Sequence, residues 1–237
     1  MLGMPEPTAY DLRFRFLGIP VRVHPLFWLV TAVMGGSGGN EDILPIAIWI
    51  GCVFVSILVH EYGHGLMSRV FRCSPSIVLY GMGGLCYSES ERQTSWQRLA
   101  VLFAGPGAGL LFFGCIEAGL IALGPPRSSV GWNIVGDLIQ INLFWSIFNL
   151  FPIWPLDGGQ ITGVVLTMFN RRKGMNWAHV VSLVTAALVA LVWFKFNQIF
   201  MGIFFAFLAV INFQILQAHH HTAKYGALED DADWWKR

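Results

Sequence analysis

Charge is what this 237-residue sequence has least of. Only 12% of its residues are Asp, Glu, Lys or Arg, about half of the ~25% usual in a soluble domain. Hydrophobic residues make up 55% and aromatics 14%, which leaves too few charges to cover a water-facing surface. That composition excludes a soluble globular domain and predicts an integral membrane protein. Basic runs with interleaved aromatics are also missing and the net charge is +1, so no nucleic-acid partner is expected. The four cysteines, Cys52, Cys73, Cys86 and Cys115, show no CxxC spacing. Neither a zinc knuckle nor a disulfide framework is therefore indicated. No cleavable signal peptide is expected at the start, and no repeat or low-complexity linker divides the chain. The length sets one compact membrane domain as the expectation.

What the sequence does have is long apolar runs. A spanning helix needs about 20 mostly apolar residues, and six candidates occur, at about 21–34, 43–67, 99–123, 132–150, 178–194 and 199–216. The first is short and leads into the flexible Gly35–Gly39 stretch, and Gly105-Pro106-Gly107 interrupts the third. Between the second and third lies 76–88, SIVLYGMGGLCYS, too short to span and rich in β-branched residues and glycine. It is expected to be a short β element folded against the protein, because open strand edges are not tolerated in lipid. The predicted fold is thus an all-α membrane protein of six transmembrane helices with one small membrane-associated β element. A membrane domain over 21–217 is flanked by cytoplasmic segments at 1–20 and 218–237. Alternating the six spans puts all of the fifteen basic residues but Arg127 and Lys195 on one side. Positive residues favour the cytoplasmic side, so both termini are expected inside.

The residues 60–64, His-Glu-Tyr-Gly-His, fit H-E-x-x-H and fall in the second apolar run. Residues four apart share one helix face, so His60 and His64 can direct both imidazoles at one metal ion. Glu61 borders that face, where a carboxylate can take a proton from metal-bound water. The motif alone is short, but ionisable side chains within a membrane helix cost a few kcal/mol unless paired or functional. Three of them in five residues need a common partner, and a cation supplies it. Two histidines leave a catalytic zinc site one protein ligand short.

A second polar site follows the fourth run: Asn149-Leu-Phe-Pro152-Ile-Trp-Pro155-Leu-Asp157-Gly158-Gly159. The prolines stop a regular helix and the glycines allow a sharp turn. On local sequence Asp157 suits either of two roles, a metal ligand or the cap of the next helix. Depth favours the ligand. At 1.5 Å per residue, His60 and Asn149 lie roughly 24 and 26 Å along their predicted helices, which run in the same direction and place both sites near the cytoplasmic side.

Taken together, His60–His64 and NLFPIWPLDGG resemble the site-2 protease family of intramembrane metalloproteases. The resemblance runs from about residue 43 to 161, and Gly83-Gly84 and Phe103-Ala-Gly105-Pro106 also look like family features. It implies one zinc ion per chain held by His60, His64 and Asp157, with Glu61 as catalytic base and Asn149 positioning substrate or an oxyanion. The implied reaction is hydrolysis of a peptide bond in a membrane-protein substrate helix, within the bilayer of a prokaryotic cell membrane. No PDZ insertion and no regulatory domain after residue 217 are read from the sequence, which leaves regulation, substrate identity and oligomeric state open. The alternative is a non-catalytic zinc-binding member that holds transmembrane helices, which would show damage at Glu61 or a ligand. A metal transporter would spread its acidic and histidine residues along several spans, and a zinc protease with a glutamate ligand would lack D-G-G.

Other polar residues carry blander expectations. His24, beside Pro25, is expected at a membrane entry, and His219-His220-His221 on a solvated flank. Glu117 and Asp137 are expected to face protein or the interface, and the tail with Trp234-Trp235 to rest on the membrane surface.

Overall fold

The computed structural model describes residues 6–36, 43–81, 83–88 and 93–232, with side chains as far as His219. Residues 37–39 and Trp234-Trp235 lie outside the described residues. The chain forms two compact units, Met1–Phe148 and Asn149–Arg237.

The first unit begins with two strands, β1 (Leu12–Phe16) and β2 (Ile19–Val23). They pair antiparallel around Leu17 and Gly18, which both have positive φ (48° and 76°). That is the turn geometry whose twist suits a two-residue hairpin. Along β2, Ile19, Val21 and Val23 are buried while Pro20 points outward, the period of two expected of a strand with one covered face. Helices α1 (Pro25–Gly36) and α2 (Ile43–Val70) follow, then strands β3 (Ser76–Tyr80) and β4 (Gly83–Tyr87). Strand β3 pairs parallel with β2 and antiparallel with β4, giving the order β1-β2-β3-β4. The core joins Ile19, Val21, Val23, Ile77 and Leu79 of the sheet to Phe27 of α1 and to Val53, Ile57 and Tyr62 of α2. Two polar ties fix α2 on the hairpin: Tyr62 donates its hydroxyl to the Phe16 carbonyl at 2.8 Å, and the Arg69 guanidinium donates to the Leu17 carbonyl.

Helix α3 (Ser95–Leu123) starts with a capping box. Gln97 N–H donates to the Thr94 hydroxyl, and Thr94 N–H donates to the Gln97 side chain. Helix α4 (Ser129–Asn149) closes the unit. Helices α2 and α3 cross where Gly63 faces the backbone of Ala104 and the side chain of Ala108. The second unit holds α5 (Asp157–Phe169), α6 (Gly174–Lys195) and α7 (Ile199–Ala232).

Several expectations are corrected. The fold is not all-α: the sheet has four strands, and it draws in residues 12–23, whose alternating apolar and basic residues pass for a mixed polar segment. The run 21–34 is not a spanning helix, because its first three residues belong to β2. The 12 residues of α1 extend roughly 18 Å, short of the ~30 Å hydrocarbon thickness. Among the described residues, four helices are long and apolar enough to cross a membrane, namely α2, α3, α6 and the 199–219 part of α7. Helix α4 has the length, with 21 residues, but Asn133, Asp137, Gln140 and Asn142 dilute its apolar character. Gly105-Pro106-Gly107 does not interrupt α3, which runs through Pro106. None of the four cysteines is in a disulfide.

The glycine at the α2–α3 crossing gives a stability prediction. A Cβ at Gly63 would overlap the Ala104 carbonyl, and overpacking of this kind costs about 1–3 kcal/mol. Gly63→Ala should lower the melting temperature in detergent, whereas Gly51→Ala, with nothing within 4 Å of its added Cβ, should not. Equal melting curves for the two variants would show that close approach at Gly63 does not hold the helices together.

Candidate metal centre

His60, Glu61 and His64 lie on α2 and are 2%, 4% and 6% exposed. One helical turn separates the two histidines, so their rings meet on one face, with centroids 4.9 Å apart and planes at 77°. His64 Nδ1 lies 2.7 Å from the Val101 carbonyl on α3. A carbonyl only accepts, so this nitrogen carries a proton, and in the neutral imidazole Nε2 keeps its lone pair. That Nε2 faces the Nε2 of His60 at 3.2 Å.

The donor set fits a bound zinc. Two nitrogens each about 2.0–2.1 Å from one tetrahedral zinc lie roughly 3.3 Å apart, close to the separation found. Nδ1–H donation from a ligating histidine to a carbonyl is also the usual way its tautomer and orientation are set. An N–H···N bond between the rings would instead require His60 Nε2 to carry a proton.

Two glycines permit this arrangement. A Cβ at Gly105 of α3 would overlap the His64 imidazole, and one at Gly84 of β4 would overlap the Glu61 carboxyl group. The GG and GPG segments singled out in the sequence are thus places where backbone presses on the motif. Asn142 of α4 adds a further tie to the same helix. It donates to the Ser56 hydroxyl at 2.9 Å and to the Leu138 carbonyl at 2.8 Å, and Ser56 sits one turn before His60. Sequence reasoning missed the supporting roles of Asn142 and Val101. Asn142 could have been suspected as a buried polar residue within an apolar span; a backbone carbonyl leaves no such signal.

The other two predicted site residues open the second unit. Asn149 is the last residue of α4, and Asp157 is the first of α5 and is 7% exposed. The N-cap of α5 is Leu156, without a side-chain capping bond, so Asp157 does not hold the N-cap position that the alternative reading gave it. The reason for Gly158-Gly159 is local. A Cβ on Gly158 would strike the Leu150 and Phe151 carbonyls, and one on Gly159 would strike the backbone of Ile153 and Trp154. The first turn of α5 therefore folds tightly onto the preceding loop.

Two of the remaining polar candidates, His24 and His219, have structural partners. His24 is buried, and its Nδ1 accepts from Leu26 N–H at 3.2 Å at the start of α1. His219 pairs with Asn176 at 2.7 Å. Glu117 and Asp137 are half-buried on α3 and α4.

Comparison with known proteins adds a family and a fold. Residues 48–125 and 118–194 match the profile of peptidase family M50. A Synechocystis sp. protein whose name places it with the zinc metalloproteases is 34% identical over 175 residues, covering 67% of this chain and 45% of that protein. A zinc metalloprotease of Methanocaldococcus jannaschii is 27% identical over 165 residues, covering 67% and 46%. The chain thus spans about half the length of these relatives. The solved site-2 protease from Methanocaldococcus jannaschii shares the fold, with a TM-score of 0.65 and 24% identity over 87% of this chain and 95% of that one.

The contact of Gly105 with His64 yields a metal-binding prediction. Changes next to a ligating histidine usually weaken metal affinity roughly 10–100-fold, and Gly105→Ala should do so. Gly107→Ala, with nothing within 4 Å, should bind as the wild type does. Metal titration of both variants checks this, and indistinguishable affinities would show that the glycine is not there to make room for the imidazole.

Proposed function

The chain belongs to peptidase family M50, and on that footing we propose that it is an intramembrane zinc metallopeptidase cutting membrane-spanning substrates near the cytoplasmic face. The observation that carries this reading is the buried His60–His64 pair, with Glu61 beside it, on a helix apolar enough to span a bilayer. His60 and His64 would hold one zinc ion per chain, with Asp157 as the third ligand. What the bound ion supplies is Lewis acidity, which brings the pKa of water toward ~7.

The chain's own groups do the rest. Glu61 takes the proton of the attacking water and returns it to the amide nitrogen as the peptide bond breaks. Asn149 orients the scissile carbonyl and stabilises its developing charge. Strand β4 lies at one end of the sheet order, with Gly84 on Glu61. An unwound substrate segment adds there as a further strand. Cleavage unchanged after proline replaces Gly83 and Gly84 would remove β4 from this account.

Both termini, with segments 1–20 and 218–237, lie on the cytoplasmic side of a prokaryotic cell membrane. With the four apolar helices crossing, both termini and Arg171-Arg172-Lys173 share one side, which supports the cytoplasmic assignment. Arg69, Arg72, Arg92 and Arg98 would then fall opposite the termini, against the usual bias, unless α1 and α4 also carry the chain across.

Elemental analysis tests the core of the proposal. Detergent-purified protein should hold one zinc per chain, largely lost in Asp157→Ala. Glu61→Gln should keep the metal and lower cleavage of a reconstituted single-span peptide by about 10²–10⁴-fold. Zinc bound with no cleavage in the wild type would favour the non-catalytic helix-binding alternative. Zinc retained in full by Asp157→Ala would remove Asp157 from the ligand set.

A further inference from the structure

Within the second unit, the loop at 150–156 that leads to Asp157 is held by a buried polar network from α6 and α7. The Trp154 peptide is gripped at both ends. Its N–H donates to the Ser182 hydroxyl of α6 at 3.0 Å, and its carbonyl accepts from the Asn212 side-chain nitrogen of α7 at 2.8 Å. The second hydrogen of that amide goes to the Leu208 carbonyl at 2.8 Å. Both hydrogens of Asn212 are thereby used on groups that only accept, which fixes the amide's orientation. Its oxygen faces His179 Nδ1 at 2.9 Å, so His179 is the donor there. The same imidazole packs edge-on against the Trp154 ring, with centroids 5.4 Å apart.

Ser182 and Asn212 are 0% exposed and His179 is 3% exposed, on helices apolar enough to span a membrane. Polar side chains in such helices are costly unless satisfied or functional. Here all three are spent on one loop peptide, three residues before Asp157.

We propose that Ser182, Asn212 and His179 are positioning residues that set the Trp154 peptide and thereby aim the Asp157 carboxylate at the metal. The inference rests on the reading of Asp157 as a ligand. Loops are ordinarily looser than the elements they join, and a ligand carried on one needs its backbone fixed from outside. The two-ended clamp does this. Gly158 and Gly159 then let the first turn of α5 press on the loop without a side chain between.

A double-mutant cycle on the full chain in detergent tests the proposal. Asn212→Leu keeps the branching and approximate size of the side chain but removes the donor to Trp154. Ser182→Ala is the milder variant, should the first fail to fold. Zinc affinity is measured by competition with a chelator, the visible spectrum is recorded after cobalt substitution, and the metal-free melting temperature is followed. Either variant should weaken zinc binding roughly 10–100-fold and move the cobalt spectrum toward that of Asp157→Ala. In the Asp157→Ala background the same change should have no further effect on affinity, because coupled groups are non-additive. A loss equal in both backgrounds, or confined to the melting temperature, would overturn the positioning role while leaving Asp157 a ligand. Unchanged affinity and spectrum in Asp157→Ala alone would overturn the ligand reading, and this inference with it.

Discussion

Everything in the candidate site depends on the cost of placing ionisable and polar side chains in an apolar helix. Such a group is tolerated only when something specific meets it. On α2, two histidines and a glutamate lie within five residues, all buried. The Val101 carbonyl takes one imidazole proton at 2.7 Å and, in the neutral ring, leaves the opposite nitrogen with its lone pair facing His60. A hydrogen bond to a backbone atom of a neighbouring helix thus decides what the ring can bind. The tautomer, and with it the ligand chemistry, comes from packing.

The same cost explains how tightly the surrounding backbone approaches. Gly63 lets α3 close on α2, Gly105 leaves room for the His64 ring, and Gly84 leaves room for the Glu61 carboxyl group. Each removes a side chain where backbone has to lie against a functional group or a second helix. Strand β4 is held in that position through the sheet, and the sheet is anchored to α2 by Tyr62 and Arg69. Elements remote from the motif in sequence therefore act on it through a short series of contacts. In the second unit the Trp154 peptide has a comparable position, with both of its polar ends bonded to buried side chains of α6 and α7.

Much of the helical framework was legible in the sequence because hydrophobic length is a long-range, additive signal. The bounds of α2 and α6 differ from the apolar runs by a few residues at most. The misreadings have physical causes. Residues 12–23 alternate apolar with basic or proline residues in two short strands, LRFRF and IPVRV. A window set to find about 20 apolar residues passes over that pattern and merges the end of β2 with α1. Pro106 is a helix breaker by propensity, yet α3 continues through it, since packing overrides local preference. On local sequence Asp157 suited cap and ligand alike, and only the predicted helix depths favoured the ligand. The cap position falls to Leu156, a one-residue shift that no propensity resolves.

The sequence by itself determined the chemical inventory: which groups can hold a metal or move a proton, their spacing on one helix, and the apolar stretches that carry them. These follow from residue type and helical period, which are properties of the chain read in order. The tertiary structure alone decided which nitrogen of His64 is available, which glycines face a functional side chain, and which buried polar residues hold the loop before Asp157. Those outcomes depend on backbone carbonyls and amide groups of distant segments. Such groups are the same in every residue, so their positions become visible only when the chain is folded.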